Sequence, residues 1–464
     1  MADDRPRIAL ALALGLALAL AGCTDRNDSA DPAARSTTTA VVRPRGGVAR
    51  VGVWQEPDVA ATNLGGAAVR ALVYPQLFVA RPDGSWEASL VEPGSERLAP
   101  DRRSASFRFR RGASWSDGTA ITAGDLRRVP EPYVVAVDGP APDGRITVRF
   151  SQPLPGWRRL WSVTSSVTPP RPGLWGGPFV LAAHTPGLEA VLHRNDGWYG
   201  RPRPFLDEVR LVLVPDAVTA RHLLARAELD VVMPSGAPVR TEQLRALPGV
   251  SVATSARTGW WVGLRANPKT LSTDERRSLF RFVDRSAFVE TLLRGEATVL
   301  NGFSGPRDAT WSALPPAAPV PAPGSIELAG PSEDPMADVL AKALQRGGRA
   351  AGSDVALRTA PVDQVEQWVA SGMYEAALVT NLDGPDACWT CRWSEVDTVL
   401  AAAADSGDAA AVRQLEGRLR DEALVLPLWR PNAVVAWRDG LGGVRVNGYA
   451  SSAAWNAHEW WRGG

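Results

Sequence analysis

The chain has 464 residues, more than one hydrophobic core usually organises, so two or three lobes are expected. Lys plus Arg total 51 against 50 Asp plus Glu. That balance leaves no basic excess to hold a phosphate backbone, and no nucleic acid partner is expected. Eighteen Trp is a high count, to be divided between cores, lobe contacts and a ring-lined cleft.

Targeting sequence comes before fold. Arg5 and Arg7 give a charged start, and residues 8–20 are an apolar run suited to a signal h-region but short of the roughly 20 residues that span a bilayer. The run ends in Leu20-Ala21-Gly22-Cys23, which resembles a bacterial lipobox. Residues 1–22 are therefore expected to be a lipoprotein signal peptide, with Cys23 lipidated and the body held at the extracytoplasmic face of the cell membrane. Residues 23–47, rich in Ser, Thr, Ala, Pro, Arg and Gly, read as a flexible tether.

With Cys23 given to lipid, Cys388 and Cys391 remain as a C-x-x-C in an oxidising compartment. A local disulfide is the simplest account, with free thiols or a redox centre as alternatives. The histidines, His184, His193, His222 and His458, show no metal-ligand spacing, so no metal or cofactor is expected.

In chain order, a strand is expected over Val48, Val51 and Val53, then a helix over residues 63–77 with Val69, Leu72, Val73 and Leu77 at helical spacing and Pro75 straining its last turn. In residues 106–126, SFRFRRGASWSDGTAITAGDL, Phe107 and Phe109 alternate with charge as in a strand. Asp117-Gly118 turns the chain, and Thr122 with Asp125 forms a capping box. Pro130 and Pro132 stop the following helix early, and residues 133–137 and 145–150 read as two strands. Residues 209–214, a helix, and residues 230–233 make a crossover unit, which implies parallel strands. A strand at residues 259–264 opens a new block, and Ser272 caps a helix with Glu275. Helix and strand then alternate at crossover spacing over residues 335–379, implying a second α/β lobe. The Pro-rich residues 315–323 read as an exposed connection, and residues 396–404 and 408–422 as a helical pair. A strand with Pro427 inside it spans residues 424–428.

The 106–126 segment resembles the signature of the family 5 extracellular solute-binding proteins, the dipeptide- and oligopeptide-binding components of ABC importers. Phe109, Gly112, Trp115, Ser116, Asp117, Gly118, Thr122, Ala123, Asp125 and Leu126 fall on or near it. Further resemblances are Gly177-Pro178-Phe179, the LHRNDGWYG run at residues 192–200, Pro215-Asp216 with Thr219 and Asp230, and Asn267, Asp274, Arg277, Asp284 and Arg285. The resemblance implies an α/β, periplasmic-binding-protein-like fold of the type II, cluster C-like kind. Two lobes surround a ligand cleft, and the small subdomain of the first lobe is trimmed where the prolines cut the helix. The expected division is 48–256 for the first lobe, 257–423 for the second, and 424–464 for the return to the first.

The same resemblance implies a monomer that binds a small solute, first a peptide, and passes it to ABC permease subunits. A sugar, an opine or a metal chelate is the alternative solute, and an anchored extracellular hydrolase the alternative class. Against an enzyme, the sequence holds no GxSxG and no HExxH. In peptide-binding relatives an Asp after a late strand pairs with the ligand ammonium. Leu382-Asp383-Gly384-Pro385-Asp386 resembles that segment, so Asp383 is carried over, with capping of its own loop as the bland role. Trp389 and Trp393 stand beside the C-x-x-C, and Trp260 and Trp261 open the second lobe. Strand alternation aims one of the latter two at the cleft and the other at the core.

Overall fold

A computed structural model describes residues 43–129, 131, 133–162, 166–233, 241–301, 324–332, 335–382 and 408–463. β1 (Val48–Val53) is the axis of the first lobe. Its Ala49, Val51 and Val53 face a core completed by α1 (Leu64–Val73) and by a 3-10 turn near the C-terminus (Ala453–Glu459). Asn63 caps α1 by accepting the Gly66 N–H at 2.8 Å. The helix ends at Val73, two residues ahead of Pro75 and earlier than apolar spacing alone suggests, because a helical residue before proline clashes with its ring.

The small subdomain follows. A hairpin of β2 (Phe78–Ala80) and β3 (Trp86–Ala88) leads into a four-stranded antiparallel sheet of β4 (Arg97–Leu98), β5 (Ser104–Phe107), β6 (Val134–Asp138) and β7 (Ile146–Phe150), in order β4-β5-β7-β6. Its core centres on Trp157, which stacks on Phe107 and meets Phe78 edge-on. The signature segment packs here. Trp115 is buried, Asp117 accepts the Thr119 N–H at 3.0 Å, and Asp125 accepts the Thr122 N–H at 2.6 Å to cap α2 (Ala123–Arg127).

Chain return is by β8 (Phe179–Thr185), β9 (Glu189–Arg194) and β10 (Glu208–Leu213), then α3 (Ala217–Ala225), β11 (Val231–Val232), α4 (Thr241–Arg245) and β12 (Val250–Ser255). The first sheet has the order β12-β19-β11-β1-β10-β9-β8, where β19 is Ala433–Arg438. β10, α3 and β11 do form a right-length crossover with parallel strands, but β1 lies between the two strands and pairs with both. α3 and α4 cover the opposite face over Val214, Leu224, Val232 and Leu244. The His222 side chain on α3 is exposed.

The second lobe begins with β13 (Trp260–Ala266), followed by α5 (Thr273–Leu279), α6 (Arg285–Thr291) and β14 (Ala297–Val299). Next come β15 (Ser325–Pro331), α7 (Pro335–Ala350), β16 (Asp354–Ala360), α8 (Val362–Ser371), β17 (Ala376–Leu382), α9 (Ala409–Asp421) and β18 (Val425–Pro431). Its sheet runs β14-β18-β13-β17-β15-β16, with β15 parallel to both β16 and β17. Pro427 is tolerated inside β18 because the ladder with β13 shifts register at Val262/Gly263. β18 thus belongs to the second sheet. The strand order changes sheets at Asn432, after β18, whereas the resemblance placed the return at residue 424. The tail, β20 (Leu441–Gly442) through β21 (Trp461–Arg462), packs Leu441 and Trp460 into the first-lobe core.

Most of the described tryptophans are structural: Trp115, Trp157, Trp161, Trp198, Trp261, Trp368, Trp429 and Trp460 are all buried.

Candidate functional site

Two segments carry the chain between the sheets, residues 256–259 and Asn432. At the first, Thr258 donates its hydroxyl to the Gly448 carbonyl at 2.9 Å, Gly259 N–H reaches the same carbonyl at 2.9 Å, and Trp260 N–H donates to Thr258 Oγ1 at 3.0 Å. Gly448 has to be glycine, because a Cβ there would sit 2.3 Å from the Arg257 carbonyl. At the second, Asn432 N–H donates to the Glu296 carbonyl at 2.9 Å, while the Glu296 carboxylate accepts the Thr241 N–H of the first lobe at 2.7 Å. Both connections are short and hydrogen-bonded, the construction of a hinge between two bodies that each keep their own core.

In the first lobe, the carboxyl end of β1 leads into a braced loop. Trp54 Nε1 donates to the Met233 carbonyl at 2.8 Å, tying that end to the end of β11. Gln55 accepts the Leu64 N–H at 2.8 Å, and Arg70 donates to the carbonyls of Val59 and Ala61, which holds the loop at residues 54–63 against α1. Burial depresses the Arg70 guanidinium below the usual arginine range, with Tyr74 and Asp58 acting against it. Glu56 meets His184 at 2.7 Å and accepts the Gly187 N–H at 3.0 Å. The loop is a fixed platform at the end of a parallel strand, where open α/β sheets take ligands.

In the second lobe, β13 begins at Trp260. β13 alternates as expected: Trp261 is 1% exposed inside the second-lobe core, and Trp260 on the other face is half-buried. Trp261 is accordingly removed from the ligand candidates and Trp260 kept. Trp260 pairs in register with Leu382, the residue before Asp383. Asp383, Trp389, Trp393, Cys388 and Cys391, as well as Cys23 and the Pro-rich 315–323 connection, lie outside the described residues.

Other motif positions are structural. Arg194 pairs with Asp196 at 3.0 Å and Asp207 at 2.7 Å, and buried Asn195 donates to the Gly177 carbonyl at 2.8 Å. Asp284 caps α6 through the Ala287 N–H at 3.0 Å, and Arg285 donates to the carbonyls of Leu300 and Pro427 at 2.6 and 2.8 Å. The charges at that helix junction are spent on backbone. Among the described residues no group of three or more His, Cys, Asp or Glu is placed to hold a metal ion, and no helix is long and apolar enough to cross a membrane. Sequence reasoning missed Glu296, which carries no local signal for its place at the crossing.

Two α/β lobes, a small sheet on the first and a two-segment hinge define a bilobal solute-binding protein. Residues 128–380 match the model of bacterial extracellular solute-binding proteins, family 5 (middle), over more than half of the chain, and the chain belongs to this family. It is a family 5 solute-binding protein of ABC importers, an extracytoplasmic class. Solved structures share the fold at low identity. A periplasmic EDTA-binding protein, EppA, is 19% identical with a TM-score of 0.75, covering 91% of this chain and 97% of its own. The oligopeptide-binding protein AppA from Bacillus subtilis, in complex with a nonapeptide, is 16% identical with a TM-score of 0.75, covering 91% and 100%. AgaA from A. tumefaciens R10, in complex with agropinic acid, is 18% identical with a TM-score of 0.77, covering 90% and 99%. No curated protein matches the sequence.

Proposed function

We propose that this protein captures peptides outside the cytoplasmic membrane and hands them to an ABC permease, anchored through a lipid on Cys23 with residues 23–47 as tether. The observation that carries the reading is the hinge: two independently cored lobes joined at residues 256–259 and Asn432, with a fixed loop on one side and half-buried Trp260 on the other. A solute touching both lobes favours the closed arrangement by its differential contacts, and closure removes it from water. Asp383 is placed by its sequence context to receive the peptide ammonium, and Trp260, Trp389 and Trp393 to pack on side chains. A cystine at Cys388 and Cys391 would lower the ordering cost of that loop.

Mass spectrometry of small molecules released by denaturing natively purified protein identifies the solute, and X-ray scattering with and without it reads the closure. Peptides and a smaller radius of gyration on binding are expected. An unchanged envelope with a confirmed ligand refutes the hinged reading, and recovery of an opine or a metal chelate replaces the peptide. Asp383→Asn is expected to weaken a peptide about tenfold or more, and unchanged affinity removes that role.

A further inference from the structure

Arg430 is unlike Arg276 and Arg285, the other arginines drawn into the second lobe. Trp429 stacks on Phe288 of α6 with centroids 4.8 Å apart, which turns one face of β18 onto the helix. Strand alternation then sends Arg430 from the opposite face. Its register partner on β14, Thr298, is exposed, so this end of that face opens to solvent. The Arg430 side chain is half-buried with Nε out of contact with solvent, and among the described residues no hydrogen-bond acceptor or carboxylate meets it. Arg285 and Arg276, by contrast, spend their guanidinium donors on backbone carbonyls.

Position adds the second half of the argument. β18 is antiparallel to β13, and β13 to β17, so β18 runs with β17 and β15 and ends where their carboxyl ends lie. Arg430 is two residues from Asn432, the crossing into the first lobe, near the carboxyl end of β18, the end of an α/β sheet outside which ligands are taken. A buried guanidinium N–H without a partner is costly, and a planar fork with free donors is the group that pairs bidentately with carboxylate.

We propose that Arg430 binds a carboxylate of the captured solute, completing its hydrogen bonds only when the cleft is filled. The proposal rests on the solute-binding reading above and adds the sign and chemistry of one end of the ligand. A peptide C-terminus and a free polycarboxylate supply the same group.

The test exposes the full chain and its Arg430→Gln variant to a random library of tri- to pentapeptides as free acids, to the same library as C-terminal amides, and to EDTA with citrate. Retained species are quantified by mass spectrometry. Wild type is expected to retain acids at least tenfold over amides, and the variant to lose at least tenfold of that retention. Retention of EDTA or citrate in place of peptides names the free polycarboxylate as the source. Equal retention by the variant, or of amides and acids by wild type, overturns the role of Arg430 while leaving solute binding intact. Retention of nothing by wild type overturns the solute-binding reading and this proposal with it. Without solute, the variant is expected to melt at or above the wild-type temperature, because no internal partner is lost. A fall of several degrees would reveal such a partner and equally overturn the proposal.

Discussion

Arg276 offers the sharpest test of how the second lobe is held. Its side chain is 4% exposed and donates to the Leu271 carbonyl at 2.5 Å, to the Glu422 carbonyl at 3.1 and 2.5 Å, to the Ala423 carbonyl at 3.2 Å and to Thr273 Oγ1 at 3.1 Å. It therefore ties the start of α5 to the last turn of α9, where helix carbonyls lack intrahelical partners. Burial pulls its pKa below the usual arginine range, opposed chiefly by Glu422, so the charge is kept at a cost that these acceptors repay. Arg276→Met fills most of the volume but leaves those carbonyls unmatched. At about 1–2 kcal/mol for each one that water does not reach, the loss comes to roughly 3–4 kcal/mol. With a urea m-value of about 2–3 kcal/mol/M, the midpoint should fall by about 1–2 M, read by tryptophan fluorescence and checked by far-UV dichroism. Arg276→Lys, which reaches fewer acceptors, should lose about half as much. A midpoint for the Met variant within about 0.2 M of wild type would refute the reasoning.

The other two predictions concern the first lobe. Gly177→Ala places a Cβ 2.3 Å from the Leu72 carbonyl and should force β8 from α1, with a loss of about 2 kcal/mol or more and a lower melting temperature; an unchanged melting temperature refutes the close packing. Burial holds the His458 imidazole, edge-on to Trp198, down at about 4, with Glu459 pulling it up and Arg445 adding to the depression. Between pH 6.5 and 4 the unfolded chain binds a proton that the folded one refuses, so stability falls as the pH drops through that window and levels off below it, by at most about 3 kcal/mol. His458→Gln should remove that component from the stability-versus-pH curve, and identical curves for the two proteins refute it.

Local chemistry made much of this fold legible. The caps at Thr122 and Ser272 work because side chain and backbone partner lie three residues apart, and the helix that begins at Ala123 is as short as the prolines in the sequence after it require. The crossover at β10, α3 and β11 follows from spacing alone. That β1 lies between those strands does not, because strand order is set by contacts across more than 150 residues. Trp260 and Trp261 illustrate the limit at the site. Alternation says that they part company, and only packing against the second-lobe core says which goes where. Arg276 and Arg277 look alike in sequence, yet the first is buried among carbonyls and the second reaches the Asp421 carbonyl at 2.7 Å from a more open position.

Near the C-terminus, Arg462 donates to the Val48 carbonyl at 3.0 and 2.7 Å and pairs with buried Asp230 at 2.7 Å. The opening strand is thus fastened by the closing one. A polypeptide made or threaded amino end first therefore keeps one fastening of its leading strand open until these residues emerge, and trimming them should loosen the start of that strand as well as the tail.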